Sequence, residues 1–430
     1  MSKADADSAI FPGESAADLL MSNLWTIFAQ TTDTMAQYNF DCIIDRHGTS
    51  AVKIDRLDRV CGRHDLTPLW IADLDFAVCP EITAALQARL NHPVLGYSEA
   101  SDGYWNSIID WNMRRHNFRI AREELAFIPG VVKGIALAVN YFTREGDGIV
   151  IQPPVYTPFR TVVEGNRRRV VENPLLFDGE RYTMDLDGLA ALLEAEKPRM
   201  MILCNPHNPI GIQWDADTLA RLAALCRKHN VVVVSDEIHG DLMLDGRRHI
   251  PFLSVGDDAR AVGVMLGAPS KTFNIPGLVS SWMVVKNPEI RDGFYNWLEV
   301  NEFSSPVLIS TIGAEAAYNN GEAWLDQMLA YVRGNIDFVS DYVARNIPGL
   351  KVILPEASFL LWLDFRGLKL CHREVMDLLL DKAHLALNDG TMFGSQGDGF
   401  ARLNVGTPRC VLAQALESLR TAVCSTCKTV

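Results

Sequence analysis

No stretch of the chain approaches the ~20 consecutive apolar residues that cross a bilayer. Positive charge is in deficit: 40 Lys and Arg against 53 Asp and Glu leave a net charge of −13. That balance disfavours nucleic acids and anionic membrane surfaces as partners. Internal repeats and low-complexity segments are absent. Metal-ligand spacing is absent too: His207, Asp236 and His239 carry the right atoms but no ligand pattern, so no metal is expected. Cysteine is sparse. The nine cysteines are scattered and odd in number, which suits free thiols rather than a disulfide framework. "CSTC" at 424–427 lies in a C-terminal tail without a partner motif and reads as incidental thiols. The first twenty residues place acids early and lack a basic stretch followed by an apolar one. No secretory signal is expected, and the expected location is cytoplasmic.

What is present is globular. The 430 residues are 48% hydrophobic and 22% charged, enough for two domains of unequal size. Residues 1–36 are polar and weakly patterned, an N-terminal extension. Tyr104, Trp105, Ile108, Ile109 and Trp111 recur at helical spacing. Seven short β-branched runs follow, at 125–129, 148–152, 168–173, 199–204, 231–235, 261–266 and 281–285. Helical stretches separate several of them. In 217–230, Leu219, Leu222, Ala223 and Cys226 share one face, and Asp217 is placed to cap its start. Buried runs such as "VVVV" alternating with helices indicate a mostly parallel seven-stranded sheet covered by helices on both faces. After residue 320 the pattern shifts to long helices around 357–365 and 400–406. The expected organisation is a large α/β domain at 76–320 and a smaller α+β domain from 37–75 and 321–430.

Charge is missing in one further place. From Gly263 to Val285 the only charged residue is Lys271. A lysine in a dry setting has a lowered pKa and can act as an amine nucleophile. The strand ends supply company for it. "VVVVSDEIHGD" closes a buried strand with Asp236, Glu237 and His239, and a carboxylate there is costly unless it meets a cation. "ILCNPHNPIG" closes another with Asn205 and Asn208, and "IQPPVYTPF" places Tyr156 on a proline-stiffened loop. "IPGVVKGIALA" is strand, glycine turn and helix, whose first N–H groups suit a phosphate. In parallel sheets ligands bind beyond the carboxyl ends of the strands. Singly, each feature has an ordinary structural reading. Together they are what pyridoxal 5'-phosphate (PLP) requires: an amine for a Schiff base, a carboxylate for the pyridine nitrogen, polar groups for the phenolic oxygen and an aromatic over the ring.

These motifs carry a resemblance. "WIADLDF" (70–76), "QPPVY", "NPHNPIG", "SDEIH" and "APSKTFNIPGL" resemble, in order, the fold-type-I PLP-dependent enzymes of the aspartate aminotransferase superfamily, class I/II. "SDEIH" and "SKTFN" are similar to the MalY/PatB-type cystathionine β-lyases, a C–S lyase subgroup. The resemblance runs from about residue 38 to 409. It implies a homodimer acting on an amino acid, with Lys271 as Schiff-base lysine and proton carrier. It implies Asp236 on the pyridinium nitrogen, Asn208 on the phenolic oxygen, His239 nearby and Tyr156 stacked on the ring. Val131, Val132 and Ser270 would hold the phosphate, with Tyr97 reaching it from the neighbouring subunit. Arg402 would grip the substrate carboxylate. One departure stands out. Many aminotransferases have a phosphate-binding arginine eight residues after the lysine, and here that position is Val279. The implied activity is β-elimination from cystathionine- or cystine-type amino acids. The alternatives are an aminotransferase on the same site, or a non-catalytic regulator that keeps the cofactor fold.

Overall fold

Seven strands pair into one sheet: β1 (Leu125–Ile128), β2 (Gly148–Ile151), β3 (Arg169–Glu172), β4 (Met200–Cys204), β5 (Val232–Asp236), β6 (Gly263–Gly267) and β7 (Ser281–Val284). Each falls within or against one of the seven runs expected from sequence. This is a computed structural model that describes residues 38–427. The strand order is β1-β7-β6-β5-β4-β2-β3. All neighbours are parallel except β7, which runs antiparallel to both β1 and β6. The carboxyl ends of β1, β2, β4, β5 and β6 therefore share one edge with the amino end of β7. The residues from Phe40 onward make one compact unit. The extension at 1–36 lies outside the described residues.

The sheet is buried on both faces because its strands are apolar at successive positions, not alternate ones. β2, β4 and β6 are buried at every residue. Ile128, Ile149, Ile151, Met200, Ile202, Val234 and Leu266 pack in one core with Val131, Ile135, Ala138 and Val139 of the helix Val131–Phe142. Each such aliphatic side chain contributes about 1.5–3 kcal/mol by leaving water.

The principal helices are α1 (Asp102–His116), α2 (Val131–Phe142), α3 (Ala216–Lys228), α4 (Glu322–Asn346) and α5 (Arg409–Cys427). α3 buries Leu219, Leu222, Ala223 and Cys226 as its spacing predicts. Its cap is a correction: Asp215, not Asp217, accepts from the Thr218 N–H at 2.7 Å. Asp215 has the extended backbone of a cap residue, so its carboxylate turns back over the helix start. Asp217 already lies inside the first turn. α5 carries Cys424, half-buried and free; the Cys427 side chain lies outside the described residues.

A second sheet is antiparallel and has four strands: β8 (Lys351–Ile353), β9 (Leu360–Asp364), β10 (Asn388–Asp389) and β11 (Phe400–Asn404), in the order β8-β9-β11-β10. Thr67 and Pro68 pair in parallel with Leu385 and Ala386. That pairing ties residues 67–68 to the C-terminal segment just before β10. Asn404 reinforces it, donating to the carbonyls of Ile71 and Asp73 at 2.6 and 2.7 Å. No helix among the described residues is long and apolar enough to cross a membrane.

Candidate active site

The carboxyl edge of the large sheet opens onto a cavity of about 280 Å³. Val131, Val132, Tyr156, Asn208, Asp236, His239, Ser270 and Lys271 all line it. The topology explains the convergence. Each residue follows or ends a strand of one sheet, and parallel strands finish together. The register aligns Cys204 with Asp236, so the loop carrying Asn208 starts level with the strand-end carboxylate. Gly130, with φ at 118°, makes the sharp entry into α2 that leaves the first N–H groups of that helix unpaired. Tyr97 does not join the others. It stands fully exposed in a segment without regular structure, away from the cavity wall.

Lys271 sits in a single helical turn, Pro269–Thr272, just after β6. Its Nζ donates to the Ala72 carbonyl at 2.5 Å. Burial lowers its pKa to about 8; Asp73 and Asp236 pull it up and Arg402 pushes it down. An amine near 8 is partly neutral at physiological pH, as a nucleophile must be. The segment that presents this carbonyl is held firmly. Asn274, three residues after the lysine, donates to the carbonyls of Leu74 and Phe76 and accepts from the Leu74 N–H, all at 2.9–3.0 Å.

Asp236 is 4% exposed and accepts one hydrogen bond, from the Ile238 N–H at 3.1 Å. Burial drives its carboxyl up to about 7, with Glu237 adding repulsion and Lys271 opposing. A buried carboxyl so poorly supplied with donors is a place for a cation. His239 is buried and its Nδ1 has no partner. Desolvation first, then the charges of Lys271 and Arg402, lower its pKa to about 3, so the ring is neutral. Tyr156 forms a half-buried wall, its phenol pKa raised by burial and by Asp236.

Arg402 comes from the other sheet, on β11. It is 4% exposed, yet every acceptor it reaches is neutral. Its Nη1 donates to Asn208 Oδ1 at 2.9 Å, and its Nη2 to Asn388 Oδ1 at 2.6 Å and the Trp70 carbonyl at 3.1 Å. The guanidinium lies 5.0 Å from the Phe393 ring centre, and its Nε is buried without a partner. Burial pulls its pKa down to about 10, still a cation at neutral pH. A buried guanidinium without a carboxylate is an uncompensated charge, and an incoming carboxylate would relieve it. Arg402 takes one lone pair of the Asn208 oxygen, which orients that side chain and leaves its N–H₂ free to offer the cavity.

His207 is set apart from Asp236 and His239. Its Nε2 bonds the Pro154 carbonyl at 2.8 Å, and it does not line the cavity. Four contributors had no role assigned from sequence: Ala72 and Trp70 act through backbone carbonyls, Asn388 and Phe393 through the C-terminal sheet. The motif "WIADLDF" marked the first two. The other two carried no signal. Phe393 reaches the site because its ring packs on Trp362 at 5.4 Å and its carbonyl accepts from the Val155 N–H at 2.8 Å.

Residues 65–419 match the family described as aminotransferase class I and II. The chain belongs to that family. Cystathionine beta-lyase PatB of Bacillus subtilis is 39% identical, over 90% of this chain and all of that protein. Protein MalY of Escherichia coli is 33% identical, over 90% of this chain and 99% of its own length. Among solved structures, cystalysin from Treponema denticola, which contains a pyridoxal 5'-phosphate cofactor, superposes with a TM-score of 0.87 at 32% identity, covering 90% of this chain and 99% of that one. The fold-type-I expectation and the resemblance to PatB- and MalY-type proteins are borne out.

The cavity fits the cofactor on its own chemistry. Asp236 is a buried carboxyl short of a cation, His239 a neutral ring with an idle nitrogen, and Lys271 an amine of lowered pKa; the start of α2, with its unpaired N–H groups, lines the same cavity.

Proposed function

We propose that the protein is a PLP-dependent C–S β-lyase. It would cleave cystathionine- or cystine-type amino acids to pyruvate, ammonia and a thiol. The observation that carries this reading is one constellation: a partly neutral lysine amine, a buried carboxyl wanting a cation, and a buried guanidinium wanting an anion. The relatives named as cystathionine β-lyases support the choice of reaction.

When bound, the cofactor supplies an electron-accepting ring conjugated to the substrate's α-carbon. The protein's residues do the rest. Asp236 would keep a proton on the ring nitrogen and thereby recover the cation it lacks. Asn208 would donate its N–H₂ to the phenolic oxygen, with His239, kept neutral, adding no positive charge there. Tyr156 would pack on the ring. Val131 and Val132 would offer backbone N–H groups to the phosphate, and Ser270 its hydroxyl. Arg402 takes the α-carboxylate and fixes the amino acid's orientation. Lys271 Nζ removes the α-proton. The β-thiolate then leaves with the electron pair of the C–S bond, and water converts the released enamine to pyruvate and ammonia.

The small domain (37–75 and 321–430) and the large domain (76–320) each supply part of the site, Arg402 from the first and Lys271 from the second. We also propose that the enzyme is a cytoplasmic homodimer. Its exposed Tyr97, beside exposed Val94 and Leu95, would reach the phosphate of the second copy.

The test is pyruvate release by purified protein from L-cystathionine and L-cystine, with PLP and no 2-oxo acid. Steady release establishes β-elimination. No pyruvate, with amino transfer once a 2-oxo acid is added, makes the protein an aminotransferase instead.

A further inference from the structure

The carboxyl end of β5 carries two consecutive buried acids, and the cofactor reading uses only one of them. Asp236 lines the cavity and Glu237 does not. Side chains alternate across a strand, and Glu237 lies on the side of Ser235, whose hydroxyl donates to its Oε1 at 2.8 Å. The same oxygen accepts from the Phe252 N–H at 2.9 Å. The other carboxylate oxygen, Oε2, is 2.7 Å from His249 Nε2. Both side chains are dry: 3% of the Glu237 side chain and 2% of that of His249 are exposed.

The protons of this cluster can be counted, because two backbone carbonyls, which only accept, fix two amides. Asn205 Nδ2 donates to the Ile250 carbonyl at 3.0 Å, and Gln213 Nε2 donates to the Trp214 carbonyl at 2.8 Å and to Asn205 Oδ1 at 2.9 Å. Gln213 Oε1 therefore faces His249 Nδ1, at 2.7 Å, and that nitrogen carries a proton. A second proton lies between Nε2 and the carboxylate. His249 and Glu237 are thus an imidazolium–carboxylate pair. Around it stand the His116 ring, 5.4 Å from that of His249, and Asp241, which is bonded to His116. The cluster also reaches the neighbouring strand end. The Asn205 N–H donates to the Asp236 carbonyl at 2.9 Å, and Asn205 lies three residues before Asn208.

The fold therefore finishes one strand-end acid and leaves the next one open. The finished acid keeps its negative charge on the residue beside Asp236, where it opposes ionisation of the Asp236 carboxyl. From the cavity side Lys271 acts the other way. We infer that Glu237, kept ionised by His249, is a positioning residue that acts through Asp236 to hold a proton between that carboxylate and the cofactor's ring nitrogen. This deepens the PLP reading above and rests on it.

The test uses Glu237→Gln, which can keep the hydrogen bonds of the cluster while removing the charge. Stripped protein is titrated with PLP and, in parallel, with 1-deaza-PLP, in which carbon replaces the ring nitrogen. Glu237→Gln should weaken PLP binding about tenfold and leave 1-deaza-PLP within about twofold of wild type. In stripped protein, the part of the stability–pH curve that Asp236→Asn removes should end about one pH unit lower in Glu237→Gln than in wild type. Wild-type affinity for PLP with an unshifted curve overturns the inference. An equal loss for both cofactors also overturns it, by showing a role in shape rather than charge. Wild type labelled with ¹⁵N-histidine decides the matter even if Glu237→Gln does not fold. The His249 signal, identified by its loss in His249→Gln, should show both ring nitrogens protonated at pH 7, and a bare nitrogen there overturns the inference. Failure of the wild type to bind PLP overturns the underlying reading and this inference with it.

Discussion

Asp236 and Asp241 stand five positions apart on the same strand-end turn, both largely buried, and their carboxyls are driven in opposite directions. Burial raises Asp236 to about 7 because a single N–H answers it. Burial pushes Asp241 upward as well, but hydrogen bonds from His116, Thr272 and Trp111 outweigh it and hold the group below the ordinary value. Those bonds are 2.7–2.8 Å long. Asp241 is thus a finished structural charge: it pins α1 to Thr272, the residue next to Lys271. Asp236 is unfinished, and under the proposed function its missing partner would be the ring cation of the cofactor. The same residue type, equally dry, is structural where the fold completes its donors and functional where it does not.

The largest effect should come from the lysine itself. Lys271→Ala should lower turnover by about 10⁴-fold or more while circular dichroism and thermal unfolding remain near wild type. Substantial residual lyase activity in that variant would falsify the assignment. Asp236→Asn should reduce kcat/KM by about 10²- to 10³-fold, because a neutral amide cannot hold the ring nitrogen protonated.

Asp236→Asn also separates the two carboxyls by stability. In cofactor-free protein the folded pKa of Asp236, about 7, lies above its unfolded value. The folded state then holds the extra proton, so this group's contribution to stability falls as pH rises from about 4 to 7. Above pH 7 the stripped Asp236→Asn variant should be more stable than stripped wild type, by about 1–3 kcal/mol. Added PLP should narrow or reverse that gap, since wild type gains its cation. Asp241 has the opposite slope. Its lowered folded pKa stabilises above the unfolded value, and that stability is lost as pH falls through the folded one. Chemical denaturation of stripped wild type, Asp236→Asn and Asp241→Ala reads the first slope between about pH 4 and 7 and the second below about pH 4.

Arg402→Lys should raise KM and cut kcat/KM by about 10- to 100-fold, since a lysine keeps the charge but not the fork. Steady-state kinetics with a single amino acid substrate tests this. Asp241→Ala should leave the activity of folded enzyme within a few-fold and cost about 2–4 kcal/mol of stability, because it strands three buried donors. If it lowered kcat as far as Asp236→Asn does, the contrast between the two carboxylates would collapse.

Much of this is legible in the chain alone. The runs that became β1 to β7 are apolar at successive positions, and a sheet covered on both faces buries such runs. The residues at their carboxyl ends had to meet because parallel strands finish on one edge, so Lys271, Asp236, Asn208, Tyr156 and the start of α2 were readable as a group. The lysine alone in an uncharged window did not decide its role; the strand ends read together with it did. Tertiary structure decided the rest. Nothing local in "ALNDGTMFG" shows that Asn388 and Phe393 would frame Arg402, because that contact needs the C-terminal sheet to set Asn388 of β10 opposite Arg402 of β11. Nor does sequence separate Asp236 from Asp241. Both are acids after a buried strand, and only the arrival of Trp111 and His116 on α1, more than a hundred residues earlier in the chain, completes one and leaves the other open. Period and strand order are local properties of the chain; whether a buried charge finds its partners depends on which distant segments the fold brings to it.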